Sequence, residues 1–569
     1  DSSIENYLPS AEALTELGYY AVRMGKFVNR PLETNNPKII DYATTCQSDF
    51  LDVFLSAKCS FFIGQSNGMT SLPMIFRTPM VFVNIFPIWD VKYCQYSTAL
   101  MVPKKYSKIL FIFAATGSAV GLGNIWKFPW MAAENGGGAF VIVYLASVAL
   151  IALPIMIAEI LIGRRGKQNP VNSLRYLSKE ASQVKVYEVD HDLNRTKQTK
   201  YQHHNQEDYT NWELIGWMGV ISGIIILSFY SVIAGWTISY IFQSFSGSFN
   251  QVTVDGATNL FKKFTSDAEK QLAWHTIFMF LTCYIVSKGV RGGLEKAIKF
   301  LIPGLFMILL ILTGYVTTLS GFTEGIRYLF LPDLNKITAS VVWSAMGMAF
   351  FSLSIGMGAL MIYGSYLSNK FSILEVTSIV AFADTFVAVL AGVIIFPIVF
   401  TYHLDPTTAG PGLIFQTLPI AFGSMPGGET FGALFFILLF FAAITSAISL
   451  IEPAVTLLIE NFRYTRAEAS LKIGFVTWLV GIGTIWSFNI WQDFTIFGMT
   501  FFNLLDVLTS KVLLPLGGFS MAIFVGYLVK RRTSISELKM SQSMYVIWRV
   551  LIRYIAPVAV MVIFTNGFM

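Results

Sequence analysis

The sequence predicts an all-α, polytopic membrane protein with a partial α/β segment in front of it, and three observations carry that class. Of 569 residues, 54% are hydrophobic and only 13% charged, with a mean hydropathy of +0.59, too apolar for a soluble multidomain chain. Charge concentrates in residues 1 to 108 and about 164 to 212, and long apolar runs parted by short polar loops fill the rest. Two of those runs are interrupted by glycine.

The first interruption is Gly117-Ser118-Ala119-Val120-Gly121-Leu122-Gly123-Asn124-Ile125-Trp126-Lys127-Phe128-Pro129, inside an apolar run from about 109 to 131. Glycine costs about 1 kcal/mol at each interior helical position, so the helix should break there. The second, Ser352-Leu353-Ser354-Ile355-Gly356-Met357-Gly358, interrupts the run from about 341 to 367. At membrane depth such breaks are tolerated only where the freed backbone is buried in protein or lines a wet cavity. Two glycine-interrupted segments in corresponding halves point to a secondary transporter with a midplane binding site.

Residues 1 to 103 read as soluble α/β: a helix over 11–17 ended by Gly18, a strand at 19–22, a helix over 49–57, a strand at 59–63, a helix over 69–76 and a strand at 80–84. This is about half of a doubly wound domain. Gly64-Gln65-Ser66-Asn67-Gly68 matches the G-x-S-x-G nucleophile elbow. The first histidine of the chain is His191, so no general base accompanies it and a strand-to-helix turn is the better reading. With its "DSSIENYLPSAEALTELGYYAVRMGK" start and "FFIGQSNGMTSLPMIFRTPMVFVN" finish, the segment resembles the C-terminal part of GT-B glycosyltransferases. The acceptor half of that fold is missing, and half a site should not catalyse. The chain starts at Asp1 with no signal peptide ahead of the domain; the segment is expected to be a joining artefact.

Eleven spans of about 20 residues or more follow, near 109–131, 138–163, 214–241, 271–287, 294–320, 341–367, 371–400, 428–460, 466–486, 498–530 and 543–566. Lys/Arg-rich loops after the second, fourth, eighth and tenth spans (Arg164 and Arg165; Lys288 and Arg291; Arg463 and Arg466; Lys530 to Arg532) fall on one side. That bias puts the N-terminus in the cytoplasm and the C-terminus outside; the chain is expected in the inner (plasma) membrane. The loop from about 164 to 211 reads as a flexible cytoplasmic insertion, whose adjacent His203 and His204 lie on different faces and make a poor metal site. Cys46, Cys59, Cys94 and Cys283 show no paired spacing, and no nucleic-acid footprint is present.

"GSAVGLGNIWKFPWMAAENGGGAF", "AFFSLSIGMGALMIYGSY" and "FFAAITSAISLIEP", in this order, resemble the neurotransmitter:sodium symporter family, bacterial branch, over about 107–569. The resemblance implies an inverted-repeat, five-plus-five helix transporter core with an eleventh helix, carrying an amino acid together with sodium by alternating access. A carboxylate suits the exposed N–H groups of Leu122 and Gly123 at a half-helix N-terminus. At Gly121 monoamine-carrying members place an aspartate, so a true amino acid is expected.

Tyr230 matches the family tyrosine that holds the substrate carboxylate. Ile226, Phe351, Ser354, Met357 and Leu450 would line the side-chain pocket; without a charge there, a neutral, hydrophobic or aromatic side chain is expected. By the same resemblance one sodium ion takes the Ala119 carbonyl, Asn124, Ser352 and a group on the seventh helix. The second takes the carbonyls of Gly117, Val120 and Ala442 with Thr445 and Ser446; Ala119, Ser352 and Ser446 also border the substrate. Asp384 matches either the asparagine of the first ion site or the acid that replaces chloride in bacterial members. Both registers imply transport without chloride.

Lys127 and Asp506 match the outer ion pair, softer here because lysine is a point charge where arginine is a fork. Met348 replaces the usual glutamine, and Val102 and Lys105 stand where the family has arginine and tryptophan. Glu460, the inner acid, should therefore be met by Lys104, Lys105 or Lys108. The competing reading is a membrane-anchored glycosyltransferase with the front segment as its active part. Anchors, however, have no use for Asn124, Asp384 and Thr445-Ser446 at membrane depth, and a channel would need filter motifs that the chain lacks.

Overall fold

The computed structural model describes residues 7–24, 31–45, 47–64, 80–85, 99–103, 115–117, 119–186, 200–203, 210–288, 294–403 and 412–567. These fall into two compact units, Asp1–Lys105 and Tyr106–Met569.

In the front unit the Leu8–Glu16 helix stops before Gly18, whose φ of +92° only glycine adopts at little cost. The Asp49–Lys58 helix begins on Ser48, which accepts from the Leu51 amide, and carries Asp49 and Asp52 in its first turn, the placement the helix dipole favours. Strands Phe62–Gly64, Met80–Ile85 and Ala99–Pro103 pair in parallel in that order, and Ala21–Val22 pairs in parallel with Ile39–Ile40. Parallel pairing requires crossovers, which fits the α/β reading; the third strand of the larger sheet lies beyond the elements expected from the sequence. The expected helix over 69–76 and residues 65–68 of the glycine-serine motif fall outside the described residues.

In the second unit, seven helices among the described residues are long and apolar enough to cross a bilayer: Gly138–Gly166, Glu213–Phe245, Ile373–Thr401, Gly428–Phe462, Arg466–Trp486, Phe501–Leu528 and Gln542–Val562. The other four expected crossings are helical but broken or less apolar. Ala268–Ser287 opens on Glu269-Lys270-Gln271 and buries His275. Leu294–Val316 has its apolar part at Pro303–Val316. The first and sixth are interrupted. Glu213–Phe245 and Gly428–Phe462 are apolar on all sides and pack along each other in the middle of the unit, where such helices belong.

The first break falls at Val120-Gly121; residues 115–117 are helical, and a π-helical turn Gly123–Lys127 leads into Phe128–Glu134. Pro129 follows that turn within the same helical run, and lacking an N–H it cannot continue the ladder, a defect that the widened turn accommodates. In the second, Ala339–Ser352 ends and Ala359–Tyr366 begins after a turn in which Ser354, Gly356 and Gly358 have φ of +56°, +80° and +76°. Left-handed backbone is cheap for the two glycines and strained for the serine.

The helices Gly138–Gly166 and Ala359–Tyr366 cross backbone to backbone. A Cβ on Gly163 would overlap the Met361 carbonyl, and one on Gly364 would lie 2.5 Å from the Ile160 carbonyl; small residues allow that approach.

Several helices fall outside the expected spans, among them Pro170–Ser182, Phe322–Phe330, the short apolar Leu413–Ser424 and Arg531–Leu538. The insertion expected to be flexible throughout contains an antiparallel hairpin, Gln183–Val186 with Lys200–His203. His204, Cys46 and Cys94 lie outside the described residues; Cys59 and Cys283 are free thiols.

Candidate functional site

The two breaks face each other across a small, largely closed cavity. Ala119, Gly121 and Gly123 line it from the first break, Phe351, Ser354 and Met357 from the second. Ile226 and Tyr230 come from the Glu213–Phe245 helix, Ser446 and Leu450 from Gly428–Phe462. Every residue expected around a substrate is among these except Leu122 and Ser352. Leu122 is withheld because its amide donates to the Tyr230 hydroxyl at 3.2 Å, and Ser352 because its hydroxyl turns to Asp384. Gly121 is an addition with a steric reason: a Cβ there would overlap Ser446 Oγ and lie 2.9 Å from the Tyr230 oxygen. An aspartate at 121 would not fit this cavity.

Beside it lies a buried polar cluster. Asn124 Nδ2 donates to Asp384 Oδ1 at 2.7 Å, to the Asp384 carbonyl at 2.9 Å and to Ser352 Oγ at 3.1 Å. The Ser352 hydroxyl donates to Asp384 Oδ2 at 2.5 Å, and Asn124 Oδ1 accepts from the Gly121 amide at 3.0 Å. All three side chains are almost wholly removed from solvent. Asp384 thus lies against Asn124 and Ser352, two of the residues expected at the first ion. A carboxylate, an amide oxygen and a hydroxyl form a hard-oxygen set that suits a small hard cation.

On the opposite side of the first break, Ser446 Oγ reaches the Gly117 carbonyl at 3.5 Å, while Thr445 Oγ1 donates back to the Ala442 carbonyl at 2.9 Å. Thr445 thus makes the ordinary local bond of a helical threonine, which leaves its oxygen free to accept. Val120 and Ala442 are buried in the same region.

Above the cavity, buried Lys127 Nζ bonds the Asp506 carboxylate and Ser510 Oγ (2.8 Å) and stands 4.2 Å from the Phe351 ring centroid. Ser510 Oγ in turn donates to Asp506 Oδ1 at 3.0 Å. The expected pair is thus a triad laid over an aromatic ring of the cavity. Ser510 was not among the sequence candidates, although its place four residues after Asp506 puts it on the same helix face; it sits in a π-helical turn, Leu508–Leu513, a local irregularity common at functional sites.

At the other end Glu460 is held, among the described residues, by amides. Glu460 Oε2 accepts from the Asn169 backbone N–H (3.0 Å), Asn169 Nδ2 (2.5 Å) and Asn172 Nδ2 (3.4 Å). The physical reason is the start of the Pro170–Ser182 helix, whose first turn offers N–H groups and positive dipole to a carboxylate. Lys104, Lys105 and Lys108 lie outside the described residues. A second buried acid that sequence reasoning passed over, Glu159, accepts from the Gly356 amide at 2.7 Å and so braces the second break. Its signal was present: a carboxylate within an apolar span is a functional candidate by default.

Comparison with known proteins gives consistent results. A family model described as the sodium:neurotransmitter symporter family matches residues 103–186 and 262–569. An uncharacterized sodium-dependent transporter of Haemophilus influenzae is 33% identical over 81% of this chain and 97% of its own length. The uncharacterized sodium-dependent transporter YhdH of Bacillus subtilis is 32% identical over 81% of this chain and 96% of its own. Among solved structures, MhsT in complex with L-phenylalanine superposes with a TM-score of 0.75 at 38% identity, covering 82% of this chain and all of that one.

Proposed function

The chain belongs to the sodium:neurotransmitter symporter family and is a sodium-dependent membrane transporter rather than an enzyme, and we propose that it carries a neutral, hydrophobic or aromatic amino acid with two sodium ions by alternating access. The observation that carries this reading is the uncharged cavity between two unwound segments, flanked by the Asn124–Ser352–Asp384 cluster.

In this mechanism the substrate carboxylate displaces Tyr230 from the Leu122 amide and takes both, with Gly123 N–H as a further donor. Its side chain occupies the space between Ile226, Phe351, Met357 and Leu450, where a charged group would be stranded. The first ion would take Asp384, Ser352, the Asn124 oxygen, which has a second lone pair beside the one on the Gly121 amide, and the Ala119 carbonyl. The carboxylate of the substrate completes this shell and couples ion to cargo. The second ion takes Gly117, Val120 and Ala442 carbonyls with Thr445 and Ser446. Asp384 supplies fixed negative charge at the first ion, so chloride has no task.

The phenylalanine bound to MhsT supports an aromatic substrate, and the Lys/Arg distribution supports a cytoplasmic N-terminus in the inner membrane. The glycosyltransferase likeness of residues 1–103 receives no support from the comparisons, and the anchored-enzyme reading falls with it.

Proteoliposomes under a sodium or a potassium gradient, offered the amino acids one by one, test the proposal. Uptake of phenylalanine, tryptophan or leucine that requires sodium and persists without chloride is the expected result. Uptake indifferent to sodium, or a preference for lysine or glutamate, overturns it.

A further inference from the structure

The last helix carries a cation that the transport site does not use. Arg553 lies in a π-helical turn, Leu551–Ile555, within the Gln542–Val562 span. Its guanidinium carbon stands 4.5 Å from the Tyr527 ring centroid and 5.6 Å from that of Tyr554. The Tyr527 hydroxyl donates to the Arg553 carbonyl at 2.9 Å. Tyr527 is the penultimate residue of the Phe501–Leu528 span, so the guanidinium, reaching from within its own span, meets the end of the neighbouring one, where tyrosine rings gather and long basic side chains extend toward the headgroups.

The charge there is uncompensated. Among the described residues no carboxylate reaches Arg553, and its Nε is closed off from solvent without a hydrogen-bond partner. The acids of the adjoining loops are already engaged: Glu537 by Arg164 at 2.9 Å, Glu180 by Arg165 at 2.6 Å. Arg549, one turn earlier, spends one N–H on the Val525 carbonyl at 3.3 Å and keeps the rest of its fork.

The site also opens to lipid. Ile547, Val550, Tyr554, Val558 and Met561 recur at helical spacing and are all exposed, as is Tyr527. Lys530, Arg531 and Arg532 follow immediately after the neighbouring span and are exposed as well. A guanidinium beside two aromatic rings, near an exposed apolar helix face, lacks an anion with a pair of oxygens and an apolar body.

We propose that the groove between the Phe501–Leu528 and Gln542–Val562 helices binds the phosphate of an anionic phospholipid. Arg553 forms the paired hydrogen bonds, Arg549 adds a second positive charge, and Tyr527 and Tyr554 hold the guanidinium plane and pack against the glycerol end of the lipid.

The test uses the full chain in nanodiscs of phosphatidylcholine with or without phosphatidylglycerol, with retained lipid counted by native mass spectrometry and heat stability followed in parallel. Wild type should retain and be stabilised by phosphatidylglycerol, and Arg553→Gln should weaken that retention about fivefold, the worth of one interfacial arginine. Arg553→Lys should fall between them. Sodium-dependent amino-acid binding checks that each variant is folded. Should Arg553→Gln fail that check, Arg553→Lys combined with Tyr527→Leu takes its place, with weakened retention supporting the site and unchanged retention refuting it. Equal retention by wild type and Arg553→Gln overturns the proposal. So does equal protection of detergent-solubilised protein by inorganic phosphate alone, which would make the site one for free phosphate.

Discussion

In the transport path proposed above, the two ends would be closed by different chemistry. On one side, Lys127, Asp506 and Ser510 form a charged triad resting on Phe351, itself a wall of the cavity. On the other, the partners of Glu460 among the described residues are the amides of Asn169 and Asn172 at a helix start. A buried ion pair that loses one partner leaves an uncompensated charge, whereas an acid held by neutral donors can trade them for water as the site opens. The difference teaches that the charged lock touches the cavity through a ring of its wall, whereas the amide lock reaches the second break through backbone, with Pro170 against Gly358 next to Met357.

Four substitutions would break or sharpen this contrast. Asp506→Asn should have the largest effect, because it strands Lys127 in a buried site; a loss of about 3–5 kcal/mol is expected, seen as abolished uptake together with a fall in melting temperature. Uptake near wild type would remove the triad from the mechanism. Asn169→Ala should cost about 1–3 kcal/mol, the penalty for an under-satisfied buried acceptor, and should favour the inward-open form. Labelling of an introduced cysteine near Glu460 would rise, and an unchanged labelling rate would refute the weak-lock reading.

Ser510→Ala removes one hydrogen bond to the lysine, about 1 kcal/mol, or roughly fivefold faster release of bound amino acid to the outside. Ser510→Thr should restore the wild-type rate, and failure of that rescue would reduce Ser510 to a packing residue. Lys127→Arg is the mildest, with a shift of less than about 1 kcal/mol in substrate affinity, because a guanidinium can bridge Asp506 in two places yet must fit over the same ring. A tenfold or larger change in affinity would mean that the gate tolerates only a point charge.

Much of the site was legible before any coordinates, because its chemistry depends on backbone that must be unwound and only glycine-rich stretches unwind cheaply. Gly121, Gly123, Gly356 and Gly358 therefore announced both breaks, and the motifs around Tyr230, Ser446 and Leu450 identified the walls. What stayed hidden was set by contacts that spacing does not encode. Residues four apart share a helix face, so the sequence placed Asp384 only to within a turn and gave no sign that its carboxylate meets both Asn124 and Ser352. Leu122 gave no sign that its amide is taken by a tyrosine 108 positions away. The amide cradle of Glu460 depended on the Pro170–Ser182 helix, which lies in a stretch whose polar composition reads as loop. Leu413–Ser424 was missed because its 12 residues are too few to cross a bilayer and raise no span signal.

The glycine crossing between Gly138–Gly166 and Ala359–Tyr366 has a mechanical corollary. With Gly163 against the Met361 carbonyl and Gly364 against that of Ile160, neither rod can slip past the other without a clash, so they travel as one lever. Spin labels on the two should keep a constant separation whether sodium is present or absent, even as labels across the Glu460 end move apart. A separation that changed with sodium would mean that the inner half of the second broken helix swings alone.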